Sequence, residues 1–231
     1  MNTQEYLDKK FGPHTKTNGH TNNPIRLKGI ERPEMYKLFA ELGFTVGLET
    51  GIEKGKNATV MYENIPNLKL YGLDSYKQHP QCSYAFHAAK RHWNPKAIKN
   101  WKDQCLKRMK GKNYIKIEKF TEDAIHDIKD NSLDFVYLDA DHSYDFVMQD
   151  MILLGRKLRK GGIMSGHDYF YEKGKRREKV MQAVKDYTNV HGIKFYITDE
   201  DHKAHSSRLA GDYYPSFFFV KLQDIWPNVI I

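Results

Sequence analysis

From Phe44 onward, short apolar runs alternate with helical patterns, and this alternation restricts the fold more than any other feature. Seven strands are predicted: Thr45–Glu49, Leu68–Leu73, Tyr114–Ile117, Leu133–Leu138, Gly162–Ser165, Lys194–Thr198 and Ser216–Lys221. The predicted helices are one from Pro33 to Gly43, Asn57–Asn64, Ala97–Met109, Thr121–Ile128, Ser143–Leu158 and Lys179–Val190. This alternation predicts an α/β fold, a mostly parallel sheet with helices on both faces. The last two strands have no helical pattern between them, so we expect an antiparallel pair.

Two segments depart from this pattern. Residues 1–32 contain the polar, turn-rich run HTKTNGHTNNP, so we expect a flexible N-terminal extension before a single domain over residues 33–231. Residues 85–112 form a basic helical insertion that is longer than a crossover helix requires. Apolar residues recur there every four positions: Ala97, Trp101, Cys105 and Met109. Such a stripe packs on the domain, and its place after the second strand makes the insertion a candidate lid over an acceptor pocket.

Composition excludes several classes of protein. Hydrophobic residues make up 40% of the 231 residues, too many for a disordered chain. The longest apolar run, Phe217–Val220, is too short to cross a membrane, and the N-terminus lacks a secretory signal. Two cysteines outside any CxxC pair indicate neither a disulfide framework nor a zinc site. We therefore expect a soluble, cytoplasmic protein, and a homo-oligomer stays open.

Positive charge is concentrated in one part of the chain. The formal net charge is +8, and residues 85–120 carry eleven Lys and Arg against two acids. A second basic cluster follows at residues 173–179. Basic stretches bind nucleic acid or simply form a solvent-exposed helix face, and we favour the exposed face without excluding nucleic acid.

The first strand leads into a glycine-containing turn. Glu49 ends the strand, Gly51 and Gly55 follow, and a helix begins after them. Parallel sheets bind ligands at the carboxyl ends of their strands, where glycine lets the backbone approach a ligand and the next helix offers free N–H groups. Alone, this spacing also suits an ordinary strand-to-helix turn.

The second strand ends in Asp74, 23 residues after Gly51. A carboxylate at this point can accept hydrogen bonds from the ribose hydroxyls of a dinucleotide or of an adenosyl cofactor. The glycine spacing disfavours the dinucleotide, because Glu53 stands where the middle glycine of G-x-G-x-x-G would be.

The fourth and fifth strands end in titratable side chains. Asp139, Asp141 and His142 follow one strand, and His167 and Asp168 follow the next. We expect these side chains to meet at the sheet edge that also carries Asp74. Two carboxylates suit magnesium or manganese, and a histidine beside them can be a general base. The competing interpretation is that these groups cap helices and bind one another.

Three motifs resemble a known family. They are E-x-G-x-x-x-G-x-N-A at Glu49–Ala58, D-x-D-H-S-Y at Asp139–Tyr144 and G-G-I-x-S-G-H-D-Y at Gly161–Tyr169. With Asp74 between them, this ordered set resembles the class I S-adenosylmethionine-dependent methyltransferases, in the small-molecule O-methyltransferase-like branch called methyltransferase family 24. The resemblance runs from about Pro33 to the C-terminus and implies a Rossmann-like sheet of seven strands, the last of them antiparallel.

The resemblance also implies roles for single residues. Glu49, Gly51, Gly55 and Asp74 match positions that hold S-adenosylmethionine, and Thr121 and Glu122 fall where related enzymes contact adenine. Asp139 and Asp168 match metal-ligand positions of the metal-dependent relatives, which implies Mg²⁺ or Mn²⁺. His142 stands at the place of their catalytic lysine, so Asp139 and His142 are expected to be catalytic. His167 replaces an aspartate of those relatives, which makes it a second candidate base.

These residues favour a methyltransferase that acts on a hydroxyl group of a small acceptor, such as a sugar or polyol. One alternative is a methyltransferase acting on nucleic acid or protein, which the basic segment would serve. The other alternative is an NAD(P)-dependent oxidoreductase, which the glycine spacing disfavours. The sequence contains no pattern that identifies the acceptor.

Overall fold

A computed structural model describes residues 1–12, 16–17, 20–21, 23–77, 79–80, 94–170, 178–199 and 214–222. The helices are α1 (Thr3–Phe11), α2 (Arg32–Glu41), α3 (Lys56–Asn64), α4 (Pro95–Met109), α5 (Thr121–Ala124), α6 (Tyr144–Gly155) and α7 (Glu178–Val190). The strands are β1 (Lys16–Thr17), β2 (His20–Thr21), β3 (Ile25–Arg26), β4 (Val46–Thr50), β5 (Lys69–Leu73), β6 (Asn113–Ile117), β7 (Leu133–Leu138), β8 (Leu158–Gly166), β9 (Phe195–Ile197) and β10 (Phe217–Val220).

The main sheet has the strand order β3-β9-β10-β8-β7-β4-β5-β6. Strands β4 to β8 run parallel to one another, whereas β10 runs antiparallel to both β8 and β9. The mostly parallel sheet with an antiparallel last strand is thus confirmed, and each of the seven predicted strands is present. The strand count differs by one, because β3 adds an eighth strand beside β9.

Helices cover both faces of the sheet and divide the core in two. One core contains α6, α7 and the strand residues that face them, among them Val136, Phe217 and Phe219. The other contains α1 to α4 and the residues of the opposite face, among them Phe135 and Phe218. Successive residues of β7 and of β10 therefore point to opposite cores, as the alternation of a buried strand requires. The predicted two-sided α/β architecture is confirmed.

Of the four elements that lie before α2, two, α1 and β3, are joined to the main sheet. Leu7 of α1 is fully buried, and Thr3 Oγ1 donates a hydrogen bond to the Gly161 carbonyl oxygen at 2.6 Å. Strand β3 pairs with β9 in parallel. Neither element gives a clear sequence signal, since α1 buries only Thr3 and Leu7 and a two-residue strand shows no alternation. The domain boundary at residue 33 stays a prediction.

Helix α4 is the part of the basic insertion that the structure describes. It packs against α3 and buries Cys105 and Met109, in agreement with the predicted apolar stripe. Residues 81–93, which include the start of the insertion and Cys82, lie outside the described residues, as do residues 173–177 of the second basic cluster. A lid function of the insertion stays a prediction. Among the described residues, none of the helices combines the length and the apolar character that a membrane span requires.

Candidate active site and cofactor site

The carboxyl ends of four parallel strands, β4, β5, β7 and β8, meet at one edge of the sheet. The register pairs Thr50 with Leu73 and with Leu138, and Leu138 with Gly166. The residues that follow these strand ends are therefore brought together. Most of the site residues predicted from the sequence lie on these four connections.

His142 joins two carboxylates at this edge. Its Nε2 atom lies 3.3 Å from Asp139 Oδ1 and 3.1 Å from Asp168 Oδ2. One ligand atom from each of the three residues lies within 4.8 Å of the others, a spacing that a metal ion can bridge. Asp141 lies apart from this cluster: it accepts a hydrogen bond from the Ser143 backbone at 2.8 Å, just before α6 begins. This bond holds the loop before α6, and among the described residues no side chain caps the helix itself.

The cluster is partly buried, and the charges of its members act on one another. Burial by itself raises the pKa of a carboxyl group, but the charge of His167 and the hydrogen bond from His142 outweigh it and hold the pKa of Asp139 well below its usual range. Burial likewise opposes a charged imidazole, yet the hydrogen bond to Asp139 and the charge of Asp168 raise the pKa of His142. The ligand-free site thus favours an imidazolium between two carboxylates.

His167 lies deeper than His142. Its Nδ1 atom is 3.7 Å from Asp139 Oδ1 and 3.6 Å from Asp168 Oδ1. Its side chain is 5% exposed, against 29% for His142. His167 Nε2 is buried, and none of the described residues offers it a hydrogen bond. Of the two histidines, His142 is thus the one that an acceptor can reach.

Glu49, at the end of β4, is buried and held by a hydrogen-bond relay. Asn57 Nδ2 donates to Glu49 Oε1 at 2.9 Å, and the Tyr36 hydroxyl donates to Asn57 Oδ1 at 2.8 Å. Glu49 Oε2 is also buried and has no partner among the described residues. Burial raises the pKa of Glu49 to about 8. Asn57 belongs to the first sequence motif, but the motif does not predict this bond. Tyr36 carries no functional signal in the sequence, because a tyrosine on an apolar helix face is typical of a core residue.

Gly51 and Gly55 shape the turn after β4. Gly51 has φ +73°, and a Cβ atom there would lie 2.0 Å from the Asp139 carbonyl oxygen. Gly55 precedes α3 with φ +70°, and no side chain in the described part of the chain caps that helix. The first-turn N–H groups of α3 therefore remain available to a negatively charged ligand.

Asp74 follows β5 and faces the same turn. Its Oδ2 atom accepts from the Glu53 N–H at 2.9 Å and its Oδ1 atom from the Tyr76 N–H at 2.7 Å. Burial raises the pKa of Asp74, and these two backbone hydrogen bonds oppose the shift. A carboxylate oxygen has a second lone pair, so the ribose hydroxyls could still bind.

Thr121 and Glu122 begin α5, after β6, and contact a different set of residues. Glu122 Oε1 lies 2.7 Å from His79 Nε2, and Glu122 Oε2 accepts from Gln149 Nε2 at 3.1 Å. Thr121 hydrogen-bonds to the buried Asp150, whose pKa burial raises to about 7. Neither His79 nor Gln149 is marked by any sequence motif. The contact of Thr121 and Glu122 with adenine stays a prediction.

Two features fit an adenosyl cofactor with a cationic amino-acid part. The Glu49 Oε2 atom is a buried acceptor that lacks a donor among the described residues, and α3, which begins after Gly55, has no side-chain cap among them. The oxygen and nitrogen donors of Asp139, Asp168 and His142 fit a divalent cation. The binding and catalytic roles of all these residues stay predictions.

Comparison with known proteins identifies the family. The family described as a methyltransferase domain, methyltransferase family 24, matches residues 48–169, which is more than half of the chain. This match spans Gly51, Asp74, the Asp139 segment and Asp168. No curated protein matches the sequence.

Solved structures share the fold at low identity. Cofactor-bound Rv0187 from MTB has a TM-score of 0.60 and 10% identity over 96% of each chain. An O-methyltransferase from Bacillus cereus in complex with SAH has a TM-score of 0.56 and 11% identity over 95% of this chain and 89% of that chain. The O-methyltransferase TomG from Streptomyces achromogenes has a TM-score of 0.55 and 10% identity over 83% of this chain and 80% of that chain. The chain belongs to methyltransferase family 24 and is a class I, S-adenosylmethionine-dependent methyltransferase.

Proposed function

We propose that this methyltransferase methylates a hydroxyl oxygen of a small acceptor such as a sugar or a polyol. The supporting observation is the contact of His142 with Asp139 and Asp168 at the sheet edge that also carries Asp74. A hydroxyl group must lose its proton to become a good nucleophile, so O-methylation calls for a base or a cation beside the acceptor. Two of the similar structures are themselves named O-methyltransferases.

In this proposal the chain binds the cofactor along the strand ends. Asp74 would accept hydrogen bonds from the ribose, Thr121 and Glu122 would contact adenine, and Glu49 with the turn from Gly51 to Gly55 would hold the amino-acid part. S-adenosylmethionine supplies the methyl group on its positively charged sulfur. Methyl transfer is an in-line displacement, so the main task of the protein is to orient the acceptor oxygen toward that methyl group.

His142 is the proposed base, because its greater exposure lets it meet an acceptor that His167 cannot reach. A base accepts a proton only when it is itself unprotonated, so His142 must first lose the proton that its two carboxylates favour. The alternative route uses a divalent cation held by Asp139, Asp168 and His142. A bound cation would lower the pKa of the acceptor hydroxyl, and His142 would then be a ligand rather than the base.

The test is a panel of sugars, polyols, amines and oligonucleotides, incubated with the protein and S-adenosylmethionine. Formation of S-adenosylhomocysteine and of an O-methyl product from a hydroxylated small molecule supports the proposal. Transfer only to nitrogen, or only to nucleic acid or protein, overturns it. A chelator then separates the two routes: the cation route loses turnover and regains it with magnesium or manganese, whereas the histidine route is indifferent. Calorimetric titration with manganese alone reports the cation site without turnover.

A further inference from the structure

Two residues of the cofactor site have an unusual backbone conformation. Glu53 has φ +43° and Tyr76 has φ +51°. The other non-glycine residues with positive φ among the described residues are Asn67, Asn131 and Asp168, which belong to the types that tolerate it. A left-handed conformation is strained for other residues, so surrounding contacts must hold Glu53 and Tyr76 in place.

Asp74 and Tyr76 supply such contacts. Asp74 accepts the backbone N–H groups of both left-handed residues, one on each carboxylate oxygen. The Tyr76 hydroxyl donates to the Glu53 carbonyl oxygen at 2.8 Å. Glu53 is thus held at its N–H by Asp74 and at its carbonyl by Tyr76. Glycine would adopt this conformation without strain, and a dinucleotide fingerprint has glycine at the position of Glu53. Here the two hydrogen bonds hold a glutamate in that conformation.

The Tyr76 ring is buried and has two cations beside it. It is 3% exposed, and the ammonium groups of Lys102 and Lys116 lie 5.0 and 5.8 Å from the ring centre. Both lysines also contact Glu118, just after β6. The bond from Tyr76 to Glu53 therefore starts from a side chain with little freedom to move.

We propose that Tyr76 is a positioning residue of the cofactor site. Its hydroxyl keeps Glu53 in the left-handed backbone conformation, and this conformation lets the turn after β4 contact Asp74 and bind the cofactor. Tyr76 acts through Glu53 and Asp74 and is not itself a ligand of the cofactor. The inference rests on the proposed assignment of Asp74 to the ribose. It gives the basic segment a role, since Lys102 of α4 and Lys116 of β6 support the turn through Tyr76.

The test measures binding of S-adenosylhomocysteine by calorimetry to four proteins: wild type, Tyr76→Phe, Glu53→Gly and the double variant. Tyr76→Phe keeps the ring and removes the hydroxyl, so we expect affinity to fall about 5- to 10-fold, the usual effect of one lost hydrogen bond. In the double variant, glycine adopts positive φ without strain, and most of that loss should be recovered. A purely structural hydroxyl predicts no recovery.

Tyr62→Phe is the matched control. The Tyr62 hydroxyl donates to the Asn113 carbonyl at 2.9 Å, a bond of the same kind away from the turn, and its loss should leave affinity unchanged. Three results would overturn the inference but leave the methyltransferase assignment intact. They are wild-type affinity in Tyr76→Phe, a loss of affinity that the added Glu53→Gly does not recover, and an equal loss in Tyr62→Phe. Failure of the wild type to bind S-adenosylhomocysteine overturns the cofactor assignment instead. Hydrogen exchange of the Glu53 amide in the ligand-free protein then decides the inference, because Tyr76→Phe should speed that exchange and Tyr62→Phe should not.

Discussion

At the scale of single residues, His142 contacts two carboxylates and is partly exposed. A substitution there should affect turnover and cofactor affinity to different extents. We predict that His142→Ala lowers turnover by about 10²- to 10⁴-fold, the usual range for a lost general base. Its affinity for S-adenosylhomocysteine should stay near that of the wild type. Asp139→Ala should reduce both quantities, because the Asp139 carboxylate contacts His142 and its charge also acts on Glu49 of the proposed cofactor site. Full turnover in His142→Ala would transfer the role of base to His167 or to a cation.

Glu49 gives a prediction about pH and stability. Burial raises its pKa from 4.5 to about 8, with Asp139 and Asp74 adding to the shift and Asn57 and Arg32 opposing it. Between those two pH values the folded state keeps a proton that the unfolded state has lost, so this group makes stability fall as pH rises. Glu49→Gln removes the effect, and above pH 8 it should raise the free energy of unfolding by about 1–3 kcal/mol relative to wild type.

Urea denaturation of wild type and Glu49→Gln at about pH 5 and about pH 8.5 checks this prediction. The difference in the free energy of unfolding between the two proteins isolates Glu49 from the other titrating groups. A difference that stays constant across this range would contradict it.

At the scale of elements, the close approach of the turn after β4 to the end of β7 depends on Gly51. Gly51→Ala should destabilise the protein by about 3 kcal/mol, because its Cβ atom would meet the Asp139 carbonyl and its positive φ would be strained. Gly192→Ala is the matched control: Gly192 has φ +62° but nothing within 4 Å of a Cβ atom, so only about 1 kcal/mol is expected. Equal losses in thermal or urea unfolding would show that the close approach does not matter.

The central strands were predictable, whereas the first elements of the chain were not. Strands β7 and β10 are buried on both faces, and such continuous apolar runs are easy to recognise. Strand β3 and helix α1 bury too few residues to produce a pattern. Within the site, the order of motifs predicted which residues share the sheet edge. It could not predict the bond from Tyr76 to Glu53, because side-chain contacts between loops depend on backbone conformations that carry no periodic signal.

At the scale of the whole molecule, the distribution of charge predicts weak binding of nucleic acid. Residues 94–119 hold nine Lys and Arg against two acids, close to the whole net charge of +8. Several of these cations already have acidic partners: Lys99 pairs with Asp103, Lys119 with Asp127, and both Lys102 and Lys116 with Glu118. Paired lysines have less charge to offer phosphates, so we expect the protein to bind a labelled oligonucleotide only at low salt.

Fluorescence anisotropy at about 50 mM and about 200 mM salt tests this expectation. Sub-micromolar affinity at the higher salt would contradict it and favour the alternative of a nucleic-acid acceptor.

The strand order of the sheet has a consequence for how the chain completes its fold. Strands β3 and β9 join the other strands only through β10, which lies between β9 and β8. Residues 25–26 thus pair with a strand about 170 positions later in the chain, and that strand joins the sheet through its pairing with residues 217–220. Contacts between such distant parts of a chain form slowly, because closing the long intervening loop costs entropy before any contact is gained. The earliest strand of the main sheet therefore depends on the latest one, and we expect the pairing of β3 with β9 to be among the last contacts of the sheet to form.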